Sequence, residues 1–122
     1  MKLRIRGNSI RIRVSQSEVA AIAAEGRVEE TIQFSPQKRL RYGVLVSQRD
    51  PAQVSYQDDQ IMVELPAGQV DAWLAPDQVG IETEQKLGGG AVLQILVEKD
   101  FTCLAPREGE DDSDTFPNPQ AT

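Results

Sequence analysis

Apolar and charged residues alternate from the start of the chain. In Lys2–Arg6 and in Ile10–Val14 every second position is Leu, Ile or Val, with Lys or Arg between. Two such period-two runs around Gly7-Asn8 predict a β-hairpin with Leu3, Ile5, Ile10, Ile12 and Val14 on its inner face. The period then changes. Ser15-Gln16-Ser17-Glu18 spells a capping box, in which the Ser15 hydroxyl and the Glu18 carboxylate satisfy the first free amides of a helix. Val19, Ile22 and Ala23 form the apolar stripe of that helix, and Gly26 supplies a left-handed stop. Val28–Phe34 and Leu40–Val46 read as strands around Ser35-Pro36-Gln37.

The same pattern recurs 51 positions later without a gap: Ile10–Phe34 lies over Ile61–Gln85, apolar on apolar in the same alternation. At this offset Tyr42, Val44, Leu45 and Val46 fall on Leu93, Ile95, Leu96 and Val97. The second copy resolves into strands Val54–Tyr56 and Ile61–Leu65 around Asp58-Asp59. A helix follows, opened by Pro66 and striped by Val70, Trp73 and Leu74, with Pro76 ending it. Strands Val79–Glu84 and Ala91–Lys99 come last, joined through Leu87-Gly88-Gly89-Gly90. The final strand is apolar on both faces and is expected to be the most buried. One four-stranded unit leaves an apolar face open, so two units should share a core. The fold class expected is α+β, mainly β: pseudo-two-fold duplicated ββαββ units closing, or nearly closing, a small β-barrel with two short helices. The barrel domain should span residues 1–104, with repeats at about 2–51 and 53–102. Residues 105–122, acidic and proline-containing, hold too little apolar surface to offset the entropy of ordering and are expected to be a flexible tail.

Gln60-Ile61-Met62-Val63-Glu64-Leu65-Pro66, the helix after it, Asp77-Gln78-Val79 and the hairpin ending in Leu96-Val97 resemble the AbrB/MazE swapped-hairpin unit and, more generally, the cradle-loop barrels. That resemblance implies two intertwined copies and, for many members, DNA binding by a basic face. The chain departs from the pattern at Ser15, where the first copy lacks the proline. Over nearly its whole length the chain is similar to small uncharacterised bacterial proteins. Those begin like Lys2–Ser9, run through Glu98–Leu104 and end in an acidic stretch with Phe116-Pro117-Asn118-Pro119. That likeness implies no activity.

Composition removes most chemistry. The chain has no histidine, which excludes Ser-His-Asp and Cys-His nucleophiles and the commonest transition-metal ligand. Cys103 stands alone, so there is no metal-binding cysteine pair and no internal disulfide. A thiol packed at the end of the last strand explains it better than an activated nucleophile. Gly88-Gly89-Gly90 lacks the Lys and Ser/Thr of a phosphate loop and reads as a turn. Glu108, Glu110, Asp111, Asp112 and Asp114 lack calcium-loop spacing. No catalytic, cofactor or metal site is therefore expected, and no cofactor. The longest apolar runs are too short for a bilayer span, and the first residues lack the apolar centre of a signal peptide, so the expected location is cytoplasmic, with no membrane contact. Trp73 fits either the core or a pocket wall.

Charge is what remains. Residues 1–50 carry ten Lys/Arg against five Asp/Glu, and residues 51–122 three against fourteen, within a net −6. Lys2, Arg4, Arg6, Arg11 and Arg13 should share the outer face of one hairpin, where five like charges repel unless something opposes them. The opposing groups considered are phosphates, the chain's own acidic tail anchored by Phe116, a partner protein, or Glu29 and Glu30 on a neighbouring strand. The overall negative charge and the few aromatics weigh against nucleic acid. The expected function is a non-catalytic binding module that engages a protein partner or its own tail through this basic face. A DNA-binding regulator of the AbrB/MazE type is the alternative, and an enzyme using Cys103 ranks third.

Overall fold

The structure, a computed structural model, describes residues 1–100 and Phe116. The predicted ends of the domain near residue 104, the tail, Cys103 and the carboxylates at 108–114 lie outside the described residues. Elements follow in the order β1 (Lys2–Arg6), β2 (Ser9–Val14), α1 (Gln16–Glu25), β3 (Arg27–Ser35), β4 (Lys38–Ser47), β5 (Gln53–Gln57), β6 (Gln60–Pro66), α2 (Ala67–Trp73), β7 (Gly80–Gly88) and β8 (Ala91–Lys99). The described chain is thus mainly β, with two helices and two four-stranded sheets.

Local chemistry explains the boundaries. The capping box before α1 is present: the Ser15 amide donates to Glu18 Oε1 at 2.9 Å, and the Glu18 amide donates to Ser15 Oγ at 3.4 Å. Gly26 ends α1 at φ 73°, its amide donating to the Ile22 carbonyl. Between β5 and β6, Asp58 and Asp59 both take positive φ, at 52° and 57°, as a tight two-residue hairpin turn demands. This pair is a turn, with Asp59 also holding Lys38 Nζ at 3.1 Å.

Each sheet draws on both halves of the chain. One has the order β1-β2-β8-β7 and the other β3-β4-β6-β5. Within a sheet the hairpins are antiparallel, while β2 pairs with β8, and β4 with β6, in parallel. No ladder joins the sheets among the described strands. Side chains bridge them instead: the Val54 amide donates to Gln85 Oε1 at 2.8 Å, and the Met1 amino group donates to Glu30 Oε1 at 2.9 Å.

A single gapless offset does not superpose all the elements. Elements β5, β6 and α2 begin 51 residues after β1, β2 and α1, but β7 and β8 begin 53 residues after β3 and β4. From its start to the start of the next strand α2 takes two residues more than α1 does, so a 53-residue shift sets Val44 on Val97 and Tyr42 on Ile95. A slip of two in a strand leaves every side chain on its original face, so alternation alone is blind to it.

The core lies between the sheets. Ile12, Val14, Val44, Val63, Leu65 and Val97 are fully buried, and Ile22, Val70 and Trp73 close it from the helices. Trp73, 2% exposed and donating from Nε1 to the Val79 carbonyl at 3.1 Å, belongs to the core. Two expectations fail here. Ile5 is 63% exposed on the edge strand β1, although its cross-strand partner Ile10 is buried. The most buried strand is β6 rather than β8, since Leu96 on the outer side of β8 is only half-buried.

Candidate binding face

The β1–β2 hairpin places its cations in register. Lys2 lies opposite Arg13, Arg4 opposite Arg11, and Arg6 opposite Ser9. Their apolar neighbours Ile10, Ile12 and Val14 turn into the core, so the cations point outward. Lys2, Arg4, Arg11 and Arg13 together line a hollow of about 160 Å³. Arg6 sits one step along the strand, its carbonyl accepting from Ser9 Oγ at 2.6 Å.

Two carboxylates that the sequence reading did not bring to this face oppose the charge. Strand β8 runs beside β2 and sets Glu98 next to Arg13. Glu98 Oε1 accepts from Arg11 Nε at 2.6 Å and from Arg13 Nε at 2.9 Å, and pairs with the Arg11 guanidinium. Lys2 Nζ lies 3.0 Å from Asp100 Oδ2. The Glu29/Glu30 pairing expected for these cations is not what forms, because β3 belongs to the other sheet. Glu29 instead meets Arg27 Nη2 at 2.7 Å, and Glu30 holds the Met1 amino group and the Tyr42 hydroxyl. Arg4 and Arg6 are exposed and make no ion pair among the described residues.

Beyond β8 the same outer face turns acidic. Glu82 and Glu84 stand on β7, exposed, opposite Leu96 and Gln94. A shallow depression of about 290 Å³ lies between the two charges, lined by Arg11, Leu96, Gln94 and Glu82 among others. The corresponding face of the other sheet is different: Gln53, Ser55, Gln57, Met62 and Glu64 take the places of the five cations.

Lys99 forms a second feature that sequence reasoning missed. Inward-facing on β8 and 4% exposed, it holds the position that Val46 holds on β4. Its amine donates to the Ala75 carbonyl at 2.9 Å and lies 5.9 Å from the Trp73 ring centre and 5.6 Å from that of Phe116. Burial holds the Lys99 pKa below its usual 10.5, and the nearby Asp77 charge only partly offsets this. The Phe116 amide donates to the Asp100 carbonyl at 2.8 Å, which sets its ring beside the Lys99 amine at the end of β8.

Among the described residues no three His, Cys, Asp or Glu side chains gather as a metal site would need, and no helix is long and apolar enough to cross a membrane. Residues 1–120 match a protein-family model described as a family of unknown function. No curated protein and no solved structure matches the chain.

Proposed function

Because the chain belongs to the DUF7009 family, a family of unknown function, its role has to be read from its own residues, and we propose that it is a non-catalytic cytoplasmic module binding an acidic protein surface through Arg4 and Arg6. The carrying observation is selective neutralisation. Among the described residues Lys2, Arg11 and Arg13 are matched by Asp100 and Glu98, whereas the adjoining Arg4 and Arg6 are exposed and meet no carboxylate. A guanidinium meets a carboxylate in one- or two-point geometry, and its planar fork loses less freedom per hydrogen bond than a lysine amine does.

The scaffold in this reading is a duplicated, interlocked pair of ββαββ units forming an incompletely hydrogen-bonded barrel of the swapped-hairpin kind. It draws support from the cross-half parallel pairs, the common 51- and 53-residue shifts, and the side-chain bridges between sheets. The DNA-binding alternative uses the same cations but has to tolerate Glu82, Glu84 and Glu98 on that face. Titration of the whole chain with a labelled glutamate-rich peptide and with duplex DNA tests both. The expected result is salt-sensitive peptide binding, weakened about tenfold or more in R4E/R6E, and little retention of DNA. DNA binding that outlasts peptide binding as salt rises would reverse the order of the two readings.

A further inference from the structure

The outer face of the β1-β2-β8-β7 sheet is complementary to itself. Along one row Arg4 stands at one edge and Glu82 at the other, with Arg11 and Leu96 between them. In the next row Arg6 and Glu84 hold the edges, with Ser9 and Gln94 between. We propose that this face docks on the same face of a second copy of the chain, about a two-fold axis running along the strands between β2 and β8. The inference rests on the recognition face described above and names its occupant.

The argument is geometric. A half-turn about an in-plane axis parallel to the strands keeps each row level and exchanges the edges. It sets Arg4 over Glu82 of the second copy, Arg6 over Glu84, Ser9 over Gln94, and Arg13 over Glu98, with Leu96 against the stem of Arg11. Every contact occurs twice, as an isologous interface requires. An axis across the strands would set arginine on arginine, so charge chooses one orientation. Lys2, Arg4, Arg6, Arg11 and Arg13 share the face with Glu82, Glu84, Glu98 and Asp100, so its net charge is close to zero and long-range repulsion between copies is small. Phosphate backbones would meet those carboxylates, and a purely acidic partner would leave the β7 edge unmatched. Four strands about 4.8 Å apart and about six residues long give a face of roughly 19 by 20 Å. That is well under the ~800 Å² per partner of a standard stable interface, so the association is weak and governed by ionic strength.

Sedimentation velocity on the whole chain tests this, over protein concentrations up to about 1 mM, the range in which so small an interface associates. At low salt the chain should dimerise, and salt of about 0.5 M should raise the dissociation constant tenfold or more. The R4E/R6E chain should be monomeric, and so should the E82R/E84R chain; all four positions are exposed, and circular dichroism checks that both variants fold. Mixing the two variants should restore a dimer, because both edges of the heterodimer then pair opposite charges. A wild-type chain monomeric throughout, a dimer indifferent to either double reversal, or a mixture that stays monomeric overturns the proposal. A monomer that still binds the acidic peptide through Arg4 and Arg6 overturns the dimer alone and leaves the recognition face standing. A monomer that holds duplex DNA through those arginines overturns it in favour of phosphate.

Discussion

Lys99 and the Met1 amino group are two partly desolvated amines that respond to pH in opposite senses. Burial makes the folded chain hold the Lys99 proton less tightly than the unfolded chain does. Between the folded pKa and 10.5, unfolding therefore takes up a proton, and stability rises with pH across that window. For Met1, burial pulls the pKa down, but hydrogen bonds and charge from Glu18 and Glu30 outweigh it and leave it above 8.0. That contribution is complete below pH 8.0 and is lost as pH rises through the folded value. Burial pushes the Glu30 pKa up, but the amino group outweighs this and holds it below 4.5, so its share is present above 4.5 and is lost as pH falls through the folded pKa. Urea midpoints measured against pH should show K99M losing the alkaline rise and E30Q losing part of the alkaline decline together with some acid sensitivity. At pH 7, K99M should lie within about 1 kcal/mol of the parent. The Ala75 carbonyl keeps the Gln78 amide as a donor, and methionine fills the same volume. E30Q should cost no more than about 1 kcal/mol, since the Glu30 side chain is 42% exposed.

The elements were legible wherever their cause is local. Alternation located both basic strands, the serine-glutamate box located the start of α1, and Asp58-Asp59 located its turn. S15A should accordingly cost about 1 kcal/mol, seen as a lower denaturant midpoint at unchanged slope. E18A should cost more, because Glu18 also lies 2.8 Å from the Met1 amino group. What escaped the pattern is what depends on another strand. Gly43 sits in the middle of β4, where an added Cβ would strike the Val28 carbonyl and come within 2.8 Å of the Glu29 Cα on β3. G43A should destabilise by about 1–3 kcal/mol, the cost of forcing apart two paired strands. No periodicity marks that position, and Leu96 takes its place in the other sheet, where the backbones leave room. The longer spacing before β7 was invisible for the related reason that strands repeat every second residue. Lys99 at the end of an apolar run likewise gives no sign that a carbonyl waits for its amine.

For the whole molecule, the basic half of the binding face could be read from a single hairpin, but the acidic half could not. Glu98 reaches Arg11 and Arg13 only because β8 runs beside β2, a pairing across 85 residues that no local rule encodes. That Arg4 and Arg6 meet no carboxylate among the described residues, on which the proposed recognition depends, followed only once those partners were placed. The same interleaving predicts how the chain comes apart. Each sheet needs strands from residues 1–50 and from residues 51–100, so neither part retains a complete sheet alone. A separately prepared 51–122 fragment should lack the blue-shifted emission of a buried Trp73, the sole tryptophan, and adding the 1–50 fragment should recover it. A fragment that buries Trp73 unaided would contradict this.

The parallel pairing of β2 with β8 also sets a timetable for synthesis. A ribosome delivers Ser9–Val14 early, yet the strand that flanks it ends at Lys99. Through most of translation the first hairpin must wait with one edge of amides and carbonyls open and the isoleucines of β2 uncovered. Distant pairings of this kind slow folding and lengthen exposure to aggregation. The close-set cations on that hairpin give every nascent copy the same charge there, which opposes edge-to-edge pairing between copies.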